Sequence, residues 1–384
     1  MRHSRRLDKL PPYLFDELDK AKQRLLALGV KVVDLAVGDP DLPTPPQIVE
    51  RMREAVTEAS NHRYPGYKGN PELRRALASW FRRRYGVELD PESEILVLIG
   101  SKEGLGHLPF ALLDPGDKVF VPDPGYPVYA NTSMMCGAEV RYFGLREDND
   151  FLPRIEELES LERAKLVFLN YPNNPTGAVA GKEFFDRIID FASSSGSMVC
   201  NDAAYNEITF EEFRSPSILE SEGARGCAIE VHSFSKTFNM TGWRIGFAVG
   251  NRDMLAALGR VKVNLDSSVF GAIQDAALVA LSLRYEDNLR AYERRRRLAF
   301  EWLTKLGCRF FRPKGTFYVW ASVPHGLTSV EFAVRLLNEA NVSVAPGSGF
   351  GSNGEGWFRI ALTRPDGEIA QGLERMASLN LWTS

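Results

Sequence analysis

Short continuous apolar runs alternate with amphipathic stretches along this chain. The runs are Ile95–Ile99, Val119–Val121, Leu166–Leu169, Met198–Cys200, Ala228–Val231 and Ile245–Val249. Runs of this length, apolar on both sides, suit strands of a sheet covered on both faces. Residues 14–28 read as a helix closed by Gly29. The clearest helix covers 71–85: Asn70 is a good N-cap, Pro71 suits the first turn, and Leu73, Ala76, Leu77, Trp80 and Phe81 fall on one face. The alternation predicts an α/β protein with a mainly parallel sheet. From about 275 a long helical pattern runs through Gly307 to a strand-like Thr316–Trp320. A large domain over 46–274 is therefore expected, with a smaller α+β domain from 1–45 and 275–384. The segment after Ile99 is helix-like but contains Gly104, Gly106 and Pro109. A mid-helix proline costs ~3 kcal/mol, so that helix is expected to be short, kinked or strongly packed.

Composition narrows the function classes. A chain of 384 residues with 44% hydrophobic positions can bury its core without disulfide or metal staples. Lys plus Arg total 47 against 50 Asp plus Glu, a net charge of -3. That lacks the basic excess of a nucleic-acid binder and gives no acidic disordered tail. Arg82–Arg84 and Arg294–Arg297 read as solvated helix faces. Cys136, Cys200, Cys227 and Cys308 form no CxxC, and the five histidines form no HExxH or HxH, so no metal site is expected. The cysteines read as reduced, half-buried thiols of a cytosolic enzyme. The basic N-terminus has no apolar segment behind it and is not a signal peptide. No stretch approaches the ~18 apolar residues of a membrane span. A soluble, cytoplasmic protein is expected.

The chemistry lies just beyond the apolar runs. Ile99 leads into Gly100-Ser-Lys-Glu, Leu169 into Asn170-Tyr-Pro-Asn-Asn-Pro, Cys200 into Asn201-Asp-Ala-Ala-Tyr, and Val231 into His232-Ser-Phe-Ser-Lys. Open α/β sheets bind ligands outside the carboxyl ends of their strands. A lone lysine is ordinarily a solvated charge, but Lys236 stands among Ser233, Ser235 and Arg244. Hydroxyls with a guanidinium make an anion site, and phosphate is its natural guest. An amine beside a phosphate site points to a Schiff base with a phosphorylated aldehyde, and pyridoxal 5′-phosphate is that aldehyde. Its ring nitrogen needs a carboxylate to stay protonated, and Asp202 ends a predicted strand. Tyr205 and Asn174 are placed to reach the ring's phenolic oxygen. Ser101 and Lys102 follow a strand and open a helix, where backbone amides favour phosphate. Tyr126 can cover the ring face.

With these residues in place, the sequence resembles the class I/II aminotransferases of fold type I over essentially its whole length. The matching motifs are Asn173-Asn-Pro-Thr-Gly177, Asp202-Ala-Ala-Tyr205, Ser233-Phe-Ser-Lys236, Arg244 and Trp357-Phe-Arg359, in the family's order and spacing. The resemblance implies a mainly parallel seven-stranded sheet between helices, plus the smaller α+β domain. It implies that Lys236 bonds the coenzyme and shuttles the proton, and that Asp202 partners the pyridine nitrogen. Asn174 and Tyr205 would bind the ring oxygen, and Ser101, Lys102, Ser233, Ser235 and Arg244 the phosphate. Tyr126 would stack on the ring. Tyr64 resembles a tyrosine that reaches the phosphate of a neighbouring subunit, implying a homodimer. Arg359 resembles the clamp on the substrate α-carboxylate, and Gly38 a glycine lining the substrate site.

Within the family, Leu10–Phe15, Gly100–Gly104, Pro122–Pro127 and Asn239–Arg244 are most similar to the LL-diaminopimelate aminotransferase branch. In that branch the positions of Tyr13 and Lys102 contact substrate. Lys102 and Glu103 are the candidates for the far end of the substrate. Alanine or aspartate aminotransferase is the alternative within the family, followed by a PLP-dependent C–S lyase. A PLP-binding transcription regulator needs an added DNA-binding segment, which a chain beginning almost directly at the enzyme-like part is not expected to have. A nicotinamide-binding fold is disfavoured because no strand leads into GxGxxG.

Overall fold

A computed structural model describes residues 3–11, 14–161, 163–283 and 286–382. The strands in chain order are β1 Val33–Asp34, β2 Ile95–Leu98, β3 Lys118–Asp123, β4 Glu139–Gly144, β5 Leu166–Asn170, β6 Met198–Asp202, β7 Ala228–Ser233, β8 Gly246–Gly250, β9 Tyr318–Ser322, β10 Val342–Ser343, β11 Ala345–Pro346 and β12 Trp357–Ala361. Each of the six apolar runs is a strand. β2 to β8 form a seven-stranded sheet in the order β2-β8-β7-β6-β5-β3-β4. All are parallel except β8, which is antiparallel to both β2 and β7.

The runs are continuous because successive residues enter two different cores. Val97, Phe120 and Val167 join one apolar cluster, while Leu96, Leu98, Val119, Val121 and Phe168 join the other. The first is covered by helices Pro71–Tyr85 and Lys182–Ser195, the second by Ser101–Leu112, Val128–Cys136 and Arg252–Leu265. Asn70 caps the Pro71–Tyr85 helix by accepting from the Glu72 amide, and Gly86 closes it in the left-handed conformation. Its Leu73, Leu77 and Phe81 are fully buried, each contributing about 1.5–3 kcal/mol. Pro109 lies inside the Ser101–Leu112 helix and is itself buried, so packing offsets its cost.

A third apolar cluster surrounds the three-stranded antiparallel sheet β11-β12-β9 and the parallel pair β1-β10. Leu18, Val33 and Leu35 from the start of the chain pack there with Phe332, Phe358 and Leu373 from its end. β1 lies on β10 with Val33 opposite Val342.

Three expectations are corrected. The long helical pattern is two helices, Gly271–Ala280 and Glu286–Lys305; the first packs Ala276, Ala277 and Ala280 into the core of the large sheet. The arginine run is not a solvated face throughout. Arg295 grips both oxygens of Asp41 at 2.7 and 2.8 Å and Asp366 at 3.0 Å, and Arg296 pairs with Glu211 and Glu293. Both side chains are buried, and Arg295 fastens the loop after Gly38 to two helices. Arg84 likewise turns inward to Glu207 at 2.9 Å. Two of the four free thiols, Cys200 and Cys308, are buried; Cys136 and Cys227 are half-buried. Among the described residues no helix is long and apolar enough to cross a membrane.

Candidate active site

β5, β6 and β7 end side by side in Asn170, Asp202 and Ser233, and a cavity of about 680 Å³ opens beyond them. Its walls come from both parts of the fold. Ser101, Lys102, Tyr126, Asn174, Asp202, Tyr205, Ser233, Ser235, Lys236 and Arg244 line it from the large sheet's side. Gly38, Tyr318, Phe350 and Arg359 line it from the other.

Asp202 sits at the floor. The backbone pairing puts it level with Asn170 on β5. Its Oδ2 accepts from the Tyr129 hydroxyl at 2.7 Å and its Oδ1 from the Ala204 amide at 3.3 Å. Burial raises its pKa to about 6, against the pull of these two donors and of the His232 and Lys236 charges. Asn170 donates to the Asp202 carbonyl at 2.7 Å and accepts from the Asn174 amide at 2.8 Å, joining the strand end to the loop above it.

Lys236 reaches across the cavity, where its Nζ donates to the Gly38 carbonyl at 2.9 Å. Burial pushes its pKa down to about 8; Arg359 and Arg244 add to this, while Asp39 and Asp202 oppose it. Gly38 cannot be another residue here, since a Cβ would stand 1.9 Å from the Tyr318 hydroxyl.

One end of the cavity is built for an anion. The helix Ser101–Leu112 begins there without a side-chain cap, so its first amides are left to a ligand. Gly100, at φ 74°, precedes it, and a Cβ at that position would overlap the Arg244 guanidinium at 2.2 Å. Arg244 is itself left-handed, at φ 56°, and donates to the Thr241 carbonyl at 2.8 Å and the Ser235 hydroxyl at 3.5 Å. Such backbone strain in a non-glycine residue is characteristic of ligand clamps.

The opposite end centres on Arg359. Its guanidinium lies 4.1 Å from the centre of the Tyr318 ring and 4.7 Å from that of Phe350. Nη1 donates to Asn174 Oδ1 and Nη2 to the Ala36 carbonyl, each at 2.7 Å, while the buried Nε has no partner. With its oxygen taken by Arg359, Asn174 keeps its amide N–H groups to donate. Tyr205 shares a 3.0 Å hydrogen bond with Tyr318.

The structure thus brings twelve of the fifteen singled-out side chains or glycines to one cavity. Tyr64 is elsewhere, on the surface and 90% exposed. Tyr13 lies outside the described residues. Glu103 is corrected as a candidate for the substrate's far end: its carboxylate accepts from the Ile99 amide and His107 and pairs with the fully buried Lys262 at 3.0 Å. Sequence reasoning missed Tyr129, Asn170 and Tyr318. Asn170 carried a signal, as a polar residue ending a fully apolar run; the other two reach the site only by folding.

The residues fit pyridoxal phosphate: a buried carboxylate at one edge, an amine of lowered pKa, hydroxyl and amide donors between them, and an anion cradle that a single Cβ would fill. A testable result follows from Lys236. An amine attacks an aldehyde only when neutral. Coenzyme capture by the coenzyme-free protein should therefore quicken tenfold per pH unit up to about 8 and level off above it. An ordinary lysine would keep accelerating to ~10.4. Stopped-flow absorbance measures this, and a rate still climbing tenfold per unit above pH 9 would refute it.

Known proteins agree with this geometry. The profile of the family "Aminotransferase class I and II" matches residues 30–376. An LL-diaminopimelate aminotransferase of Aquifex aeolicus is 48% identical over 98% of this chain and 99% of its own, and one of Desulforudis audaxviator 49% identical over 97% and 96%. Among solved structures, substrate-bound BacF from Bacillus subtilis superposes with a TM-score of 0.95 at 38% identity, covering 100% of this chain and 99% of that one. A double mutant of the Thermus thermophilus aspartate aminotransferase superposes with a TM-score of 0.93 at 33% identity, covering 99% and 100%. The fold, the strand-end site and these relatives converge: the chain belongs to the class I and II aminotransferases, enzymes that work with pyridoxal 5′-phosphate.

Proposed function

We propose that the protein transfers an amino group between LL-2,6-diaminopimelate and 2-oxoglutarate, in the synthesis of lysine and cell-wall precursors. The carrying observation is the similarity to proteins named LL-diaminopimelate aminotransferase, 47–49% identical over nearly the full length in the first four such relatives. The cavity supports it. Such a substrate carries both an ammonium and a carboxylate at its far end, whereas an aspartate site needs mainly a distal cation. Lys22 and Lys102 line this cavity together with Asp19 and Asp39, so charges of both signs are available.

In this reading the coenzyme, when bound, supplies the aldehyde that takes the amino group and a ring that draws electrons from the substrate Cα. Lys236 Nζ holds the aldehyde and later moves the Cα proton. Asp202 carries the charge that keeps the ring nitrogen protonated. Asn174 and Tyr205 donate to the ring oxygen, and Tyr126 covers the ring. Ser101, Lys102, Ser233, Ser235 and Arg244 hold the phosphate. Arg359, already fixed by Asn174 and Ala36, clamps the α-carboxylate, with the Gly38 backbone beside it. Tyr13 and Lys102 serve the rest of the substrate.

The exposed Tyr64 phenol, which does not line its own cavity, supports a homodimer in which it completes the partner's phosphate site; light scattering should give twice 43.0 kDa. The four unpaired thiols support a cytoplasmic location, checked by cell fractionation.

The test is a competition among LL-diaminopimelate, alanine and aspartate as amino donors in a coupled assay with 2-oxoglutarate. LL-Diaminopimelate should give the highest kcat/KM. Equal or better turnover of alanine or aspartate would replace it as substrate, and release of pyruvate and ammonia from a cysteine conjugate would mark a lyase.

A further inference from the structure

Tyr129 is the second residue of the helix Val128–Cys136 and is fully buried. Its ring stacks on Phe168 of β5 at 5.0 Å and 14°, and meets the Tyr126 ring edge-on at 5.7 Å and 85°. Its hydroxyl donates to Asp202 Oδ2 at 2.7 Å. Among the described residues no other side chain donates to that carboxylate.

We infer that Tyr129 is a positioning residue that keeps the Asp202 carboxylate ionised and oriented, so that the ring nitrogen of the bound coenzyme stays protonated. This rests on the role proposed above for Asp202. The geometry carries it: Oδ2 is held by the phenol, Oδ1 by the Ala204 amide, and the backbone behind by Asn170. The carboxylate therefore cannot swing, and one rigid aromatic joins it to Tyr126, the residue assigned to the ring face.

The titratable groups facing Asp202 are Tyr129, Cys200, Tyr205, His232 and Lys236. Burial raises the Tyr129 phenol well above its ordinary value, and the Asp202 charge raises it further. It is thus protonated, and a donor, across the whole working pH range. Burial also drives Asp202 upward, and the phenol is the first influence opposing that rise. Without the phenol Asp202 takes up a proton more readily. A neutral carboxyl no longer holds the ring nitrogen in its cationic form, and the ring draws electrons from Cα less strongly.

The experiment uses holoenzyme reconstituted with pyridoxal phosphate labelled with ¹⁵N in the ring. The ring nitrogen is titrated by NMR in the parent, in Tyr129→Phe and in Phe168→Leu. Tyr129→Phe keeps the ring stacked on Phe168 and removes only the hydroxyl, so its fold should survive; Phe168→Leu loosens the stack and keeps the hydroxyl. In Tyr129→Phe the nitrogen should lose its proton about one to two pH units earlier than in the parent, the scale of a hydrogen bond to a charged group. Its kcat should fall roughly 10- to 100-fold while the KM for the amino donor moves less than about twofold, which separates this role from a structural one. Phe168→Leu should keep the parent's nitrogen titration. An unchanged midpoint in Tyr129→Phe, or an equal shift in Phe168→Leu, overturns the inference and leaves the Asp202 assignment standing. A parent nitrogen already unprotonated at neutral pH overturns the Asp202 assignment, and this inference with it.

Discussion

Lys236→Ala should lower turnover of LL-diaminopimelate by at least about 10⁴-fold, the upper range for losing a positioned acid–base group. Two functions vanish together. The Nζ that bonds the aldehyde is gone, and so is the base that moves the Cα proton. Nothing nearby replaces it: the other cations lining the cavity include Arg244, Arg359, Lys102 and Lys22, and the two guanidiniums are always protonated. The two lysines are otherwise engaged, Lys22 paired with Asp19 at 2.6 Å and Lys102 over the Tyr126 ring at 6.0 Å. The variant should still bind coenzyme weakly through the anion cradle but lose the absorbance of the lysine-bound form. Borohydride reduction of the parent should leave the pyridoxyl group on Lys236, identified by peptide mapping. A label elsewhere, or more than about one percent of parental activity in the variant, would defeat the assignment.

The second large effect belongs to Asp202→Ala. Removing the carboxylate takes away the charge that keeps the ring nitrogen protonated. A loss of about 10³- to 10⁴-fold in kcat/KM is expected, corresponding to about 4–5.5 kcal/mol of barrier. Coenzyme binding should persist in part, because the phosphate cradle and Lys236 are untouched. Stability should move the other way. The folded pKa of Asp202 is raised to about 6, above the ordinary value for an unfolded aspartate. The folded protein therefore binds a proton that the unfolded chain has already lost, and its stability falls as pH rises through that window. At neutral pH the coenzyme-free parent bears the full cost of this buried charge. The same substitution should leave the Tm of the coenzyme-free protein unchanged or higher at pH 7, and calorimetry with and without coenzyme separates the two effects. A variant that keeps a tenth of the parental kcat/KM would show that the ring nitrogen does not depend on this residue.

The strands of the large sheet were legible because both of their faces are buried, which leaves an unbroken apolar run in the sequence. β4 was not, since it forms an edge where Glu139, Arg141 and Tyr142 face water. Lys236, Asp202 and Ser235 could be singled out because each interrupts or follows such a run with a group that ordinary packing does not call for. Tyr129 and Tyr318 gave no such sign: an aromatic among apolar neighbours looks like core, and their partners, Asp202 and Gly38, stand far away in sequence. The arginine run misled for a related reason. Four adjacent cations look solvated until Asp41, Asp366 and Glu211 are folded against two of them. What remains hidden in a sequence of this kind is polar pairing between distant segments, because neither partner has a local reason to be where it is.

The pairing of β1 with β10 also bears on how the protein is made. Val33 leaves the ribosome early, yet Val342, opposite it, arrives roughly 300 residues later, about 15–60 s at common elongation rates. Until then the Gly38 loop has no β10 beside it and Arg359 has not been synthesised. A nascent chain can complete its large sheet and meet free coenzyme well before it can grip an amino acid. Translation thus sets a lower bound on assembly: the substrate side of the cavity cannot close before β10 and Arg359 have been made.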